Sequence, residues 1–296
     1  MTQASPSVDI SSNAKARADG VPRWMAWIPR CGLVATIGLQ ILWPLSSGQP
    51  RITLTIATVI AFAATSVSHA WVYRGFRWAL GYVAITCGFA FGLEALGTQS
   101  GFPFGDYQYS DMLGVRLADV PLVIPLAWSM TAYPVLLLSR RLSGAIAGNS
   151  GHVARYLSVA GIGAFAMTAW DLFLDPQMVS QSYWVWENPV PSLPGIDGIP
   201  AGNYAGWLLG SAVLMLLLNC LPDRATTETV PAALWTWTWI GGIISNAFFF
   251  GRPSVALVGG VAIAIVTIPY LYLLGRQHRT NQHNRSVNDA TRSVEG

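Results

Sequence analysis

Charge is what this sequence has least of. Only 10% of its 296 residues are Asp, Glu, Lys or Arg, against roughly 25% in soluble domains. So few charges cannot clothe a soluble surface of this size, and 52% of the residues are hydrophobic, so lipid is the expected solvent for much of the chain. Cysteine is scarce too. Cys31, Cys87 and Cys220 lie in or beside apolar runs, and an odd number without ligand spacing reads as small apolar residues, not as disulfides. The histidines, His69, His152, His278 and His283, form no clustered ligand set, which argues against a di-iron hydroxylase or desaturase. There is no Gly-x-Gly-x-x-Gly turn for a flavin or nicotinamide and no phosphate-binding loop. Asp171-x-x-x-Asp175 matches half of a magnesium–diphosphate site, but the companion Asp-rich motif and the basic residues for diphosphate are missing. No metal and no cofactor are therefore expected. The net charge of +3 is too small and too scattered for nucleic acid.

What the chain does have is long apolar runs, thirteen tryptophans and ten tyrosines, the composition of interfacial belts where an apolar ring keeps one wet edge. A bilayer core about 30 Å thick takes about 20 apolar residues per helix. Eight stretches qualify: Ile28–Ser46, Ile52–Trp71, Phe76–Gly97, Val120–Leu138, Tyr156–Leu174, Tyr204–Leu221, Ala232–Phe250 and Ser254–Leu274. The expected fold is an all-α, polytopic bundle of about eight transmembrane helices over residues 23–275, multi-pass in the cell membrane. A polar arm (1–22) and a polar tail (276–296) are expected to be without structure. Placing both termini in the cytoplasm puts fourteen of the seventeen Lys and Arg inside, and only Arg51, Arg116 and Arg252 fall outside. That is the bias of the positive-inside rule, which a seven-span reading scrambles.

Two long loops remain, 98–119 and 175–203, both on the outer side in this orientation. Glu94 and Asp171 stand near the outer ends of the third and fifth spans. A carboxylate at the centre of a membrane helix costs roughly 2.5–3.5 kcal/mol, so such residues are functional candidates; an interfacial position within reach of water is the alternative. Asp175 shares the face of Asp171 if the helix continues, yet Pro176 biases it away from helical geometry and leaves a turn role open. The loops are aromatic: Phe102, Phe104, Tyr107 and Tyr109 in the first, Tyr183, Trp184 and Trp186 in the second. An interfacial belt and a cage that stabilises a cation by its ring faces both fit. An internal echo aligns Glu94, Asp119-Val-Pro121 and Trp128 with Asp171, Asp197-Gly-Ile-Pro200 and Trp207, the pattern of a duplication about the membrane normal. Asp106, Asp111 and Asp119 are expected to organise the loop, with Arg116 as a partner. Asn203 either positions water or caps the sixth span, and Asn246 is expected to bond between helices.

The stretches Gly101-Phe-Pro-Phe-Gly-Asp-Tyr-Gln-Tyr109, Leu113-Gly114 and Val120-Pro-Leu-Val-Ile-Pro-Leu-Ala-Trp128, then Ala169-Trp-Asp-Leu-Phe-Leu-Asp-Pro176 and Ile199-Pro-Ala-Gly-Asn-Tyr-Ala-Gly-Trp207, resemble the integral-membrane carotenoid biosynthesis family of bacteria and archaea. Its CruF-type hydratases add water to the acyclic end of a C40 or C50 carotenoid. The resemblance covers the third to sixth spans and implies a carotenoid substrate that arrives laterally from the lipid, with membrane lipids and other carotenoid-pathway enzymes as neighbours. Such hydration needs a proton donor, a water and a site that tolerates a tertiary cation. A carboxylic acid kept neutral by burial can donate at neutral pH, and a second carboxylate can take the proton of the water. The candidate catalytic residues are Glu94, Asp171 and Asp175, with Asp171 or Glu94 as the acid. Phe104, Tyr107, Tyr109 and Trp128, with Trp170, Trp184, Asn203 and Trp207, are the candidates for binding substrate. An end-group cyclase uses the same protonation and stays open as an alternative, as does a carrier that binds a lipid or carotenoid without chemistry.

Overall fold

An apolar run in lipid has no water to satisfy its peptide groups and must bond them internally, which the α-helix does within one segment. The computed structural model describes residues 20–148, 151–224 and 226–295; the N-terminal arm up to residue 19 lies outside them. Among these described residues eight helices follow in order: α1 (Arg23–Leu42), α2 (Gly48–Arg74), α3 (Phe76–Ser100), α4 (Val123–Ala147), α5 (His152–Val179), α6 (Ala201–Asn219), α7 (Thr229–Ile244) and α8 (Pro253–Glu295). All but α4 and α7 are long and apolar enough to cross a membrane. The chain is a polytopic helical membrane protein.

α4 is the centre of the bundle. It packs against α2, α3, α5, α7 and α8, and its length is buried almost without interruption, including Ser129, Thr131, Ser139 and Ser143. A helix buried on all faces meets protein rather than lipid. Near its far end the Arg140 guanidinium donates to the carbonyl of Leu218, in the last turn of α6, and to that of Leu221, just beyond the helix. Arg141 forms a two-pronged pair with Glu228 at 2.9 and 2.7 Å, and Tyr270 donates to the same carboxylate.

Three expectations are corrected. The tail does not lose structure after Gly275: α8 runs to Glu295. Residues 276–295 contain neither proline nor glycine, so a helix already nucleated in the bilayer propagates outward at little cost. The run Ala232–Phe250 is not one α-helix; it turns π-helical over Ser245–Phe249. Asn246 does not bridge helices, because its amide donates back to the carbonyl of Gly242 in its own helix at 2.9 Å.

The two long loops lie at the same end of the bundle because they are stitched together. β1 (Tyr107–Tyr109) in the first loop pairs antiparallel with β4 (Trp184–Trp186) in the second, Tyr107 opposite Trp186 and Tyr109 opposite Trp184. Two hairpins flank them, β2 (Arg116–Leu117) with β3 (Val120–Pro121) and β5 (Ser192–Leu193) with β6 (Ile196–Pro200). Arg116 bonds Asp111 at 2.6 Å across the first loop. Arg51, at the start of α2, reaches Gln181 of the second at 3.1 Å.

Candidate active site

Beneath the paired loops lies a cavity of about 400 Å³, within the size range of pockets that enclose a small ligand. Glu94 from α3, Asp175 from α5 and Asn203 from α6 line it, among mostly apolar and aromatic side chains. A buried carboxyl needs donors or it costs several kcal/mol, and each of these has found them.

Glu94 is held by three. Tyr107 and Tyr109 donate their hydroxyls to Oε2 at 2.5 and 2.7 Å, and the Trp128 indole donates to Oε1 at 2.9 Å. Strand geometry would send Tyr107 and Tyr109 to one face of β1, which is how two phenols reach one oxygen. Burial first, and then the neighbouring Glu94, hold both phenols above their usual range, so they stay protonated donors. The close approach depends on Gly97, one turn after Glu94: a Cβ there would stand 2.8 Å from the Tyr107 hydroxyl.

The second acidic group is a pair. α5 does not break at Pro176 but continues to Val179, because proline deprives a helix of one donor and neighbouring helices can tolerate the loss. Asp171 and Asp175 therefore lie one turn apart on one face. Asn203 bridges them, its amide nitrogen donating to Asp175 Oδ2 at 2.5 Å and to Asp171 Oδ2 at 3.2 Å. The α6 N-cap is Pro200, and no side chain caps it, so Asn203 serves the carboxyls and not the helix end. The Trp184 indole donates to Asp175 Oδ1 at 3.1 Å. Asp171 Oδ1 is buried with no partner, as is the hydroxyl of Tyr204 in α6. Asp171 is fully buried but is not part of the cavity wall, which Asp175 reaches instead.

Aromatic rings line the same cavity as the two acidic groups. Trp128 and Trp207 stack, Trp170 stands edge-on to Trp207 at 5.9 Å, and Phe104 lies 6.2–6.5 Å from both stacked rings. The first loop can press this close because residue 206 is glycine; a Cβ there would lie 2.5 Å from the Pro103 carbonyl oxygen. All eight residues expected to bind substrate line the cavity.

Residues 51–274 fit the model of the carotenoid biosynthesis proteins. The chain belongs to the carotenoid biosynthesis protein family. It is also similar to the bisanhydrobacterioruberin hydratase of Haloarcula japonica, 35% identical over 152 residues, which make up 50% of this chain and 47% of that protein. The chain thus spans about half the length of this curated relative. No solved structure matches the chain. The matched residues include α3 to α6 and both long loops, which supply Glu94, Asp175 and Asn203 to the cavity.

Sequence reading missed part of the wall. Trp43 and Thr55 from the α1–α2 corner, Phe173 from α5 and Trp237 from α7 also line the cavity. Trp43 donates to Thr55 at 2.7 Å, and Thr55 lies 3.2 Å from the Tyr183 hydroxyl, which ties α1 and α2 to the second loop. Apolar residues in apolar helices carry no marker of which cavity they face. The available hints were the buried polar Thr55 and Thr58 inside a hydrophobic run.

Proposed function

We propose that the protein is a carotenoid hydratase, a hydro-lyase that adds water across the terminal double bond of an acyclic C40 or C50 carotenoid. The observation that carries this reading is that Glu94 and Asp175 line one largely apolar cavity, each fixed by aromatic donors, together with a cluster of aromatic rings. The hydratase similarity over half the chain supports the same chemistry.

The Asp171–Asp175 pair holds one proton, since two neighbouring buried carboxyls cannot both ionise at low cost. Asp175, the cavity-facing member, passes it to the CH carbon of the terminal trisubstituted alkene. The alkene's π electrons form the new C–H bond, and a tertiary cation is left at the dimethyl carbon. The faces of Phe104, Trp128, Trp170 and Trp207 stabilise this charge without bonding to it. Water attacks the cation and gives its proton to Glu94, whose three donors present it as an acceptor. Proton return from Glu94 to the pair closes the cycle, and the sum is one water added. No electrons are transferred to or from the substrate, so the reaction calls for no redox group and no cofactor. The protein sits in the cell membrane with both termini cytoplasmic, its site at the outer face, among lipids and other enzymes of the pathway.

The test is expression in a host that makes acyclic carotenoids, grown with and without heavy-oxygen water, for the wild type, Asp175→Asn and Glu94→Gln. A product heavier by one labelled water, lost in both variants, is expected. A product of unchanged mass would mean cyclisation, and label from molecular oxygen would defeat the mechanism. Bound but unmodified carotenoid would leave only a carrier.

A further inference from the structure

Most of the cavity wall is buried or half-buried, but four of its residues are exposed: Leu45 66%, Phe249 51%, Ile41 47% and Ile244 42%. All four are large and apolar, and they come from only two places. Ile41 and Leu45 belong to the end of α1 and the turn after it; Ile244 and Phe249 belong to the end of α7 and its π-helical turn. A residue that lines a cavity and also faces outward stands at its mouth. α1 and α7 pack side by side, and Trp43 meets Phe250 edge-on at 5.4 Å beside this opening. Outward in a membrane bundle means toward lipid, so the mouth opens sideways, and π-helical turns of this kind often occur at functional places.

We propose that the α1–α7 gap is a lateral portal through which one end of a long apolar polyene slides from the bilayer to the carboxyls, while the remainder of the chain stays outside in the lipid. The portal's occupant rests on the hydratase reading above; its position does not. The cavity volume agrees: about 400 Å³ is at the lower end for pockets that enclose a drug-sized molecule, room for an end group and a few conjugated units, not for a forty-carbon chain. An apolar rim costs such a substrate nothing on leaving lipid, because lipid and side chains are equally apolar to it.

The test is the rate at which purified protein in lipid nanodiscs takes up an acyclic C40 polyene, read by the absorbance of the bound chromophore without turnover. Ile41→Trp with Ile244→Trp narrows the mouth, and uptake is expected to slow about tenfold, the effect of roughly 1.4 kcal/mol on the barrier. Leu80→Trp with Leu209→Trp, at exposed positions away from the cavity, is expected to load at the wild-type rate. Ile41→Ala with Ile244→Ala widens the mouth without adding bulk and is expected to load at least as fast as wild type. Uptake at the wild-type rate by the narrowed protein overturns the portal, and so does slowing by the widened or control pair. A wild type that loads by this route yet makes no hydrated product defeats the hydratase reading and leaves the portal standing.

Discussion

Trp128 and Trp207 stack face to face, ring centroids 4.3 Å apart and planes 3° from parallel. They stand in the second turns of α4 and α6, and they are the tryptophans that the internal echo sets in correspondence. The two aromatic loops are joined as well, where β1 meets β4. Trp128 also donates to Glu94, so the stack holds a carboxylate as well as a wall. The site is thus assembled where the first loop and α4 meet the second loop and α6.

Removing donors from Glu94 is expected to slow chemistry without emptying the cavity. Tyr107→Phe and Tyr109→Phe each delete one hydrogen bond to a carboxylate, worth about 1.5–3 kcal/mol. Each is expected to lower kcat about tenfold to a hundredfold, with polyene uptake unchanged, measured by product formation and bound absorbance in parallel. Loss of uptake with kcat retained would assign the phenols to binding.

The two aspartates are expected to separate. Asp175→Asn removes the cavity-facing proton carrier and is expected to cost about a hundredfold to ten-thousandfold in turnover, the range of general acid catalysis. Asp171→Asn retains a carboxyl at the wall and is expected to cost less. Turnover of both proteins at equal uptake decides the order, and a larger loss at Asp171 would move the acid to that residue.

Close packing of the first loop on α6 is expected to depend on residue 206. Gly206→Ala places a Cβ 2.5 Å from the Pro103 carbonyl oxygen, and overpacking of this kind costs about 1–3 kcal/mol. A lower Tm and lost activity are expected. Gly202→Ala, one turn earlier with open space at its Cβ, is the control and is expected to keep or slightly raise Tm, since alanine favours a helix over glycine by about 1 kcal/mol.

At the opposite end, Glu228→Gln is expected to lower Tm while leaving product formation per folded molecule intact. It strands the Arg141 guanidinium, and breaking a buried pair costs about 3–5 kcal/mol. The partial exposure of both side chains, 20% and 13%, brings the expected loss to about 2 kcal/mol. Thermal melts in detergent beside a turnover assay read both quantities.

The number of helices and the place of the acids were legible because lipid imposes a length and a composition on each span and makes every intramembrane carboxylate conspicuous. Glu94, Asp171 and Asp175 stood out for that reason. The centrality of α4 did not, since hydropathy cannot tell a helix surrounded by lipid from one surrounded by helices. The α-helical course of Asp175 through Pro176 was equally hidden, because local preference opposes it and packing overrides it.

The sequence by itself determined a polytopic helical bundle with aromatic loops beside buried acids, since those features follow from solvent and residue type along the chain. Only the tertiary structure decided that Asp175, not Asp171, faces the cavity, that Asn203 bridges the pair, and that exposed residues at the ends of α1 and α7 line the same cavity. These depend on how helices far apart in sequence are rotated and packed against one another, and no local pattern encodes a rotation between two apolar helices.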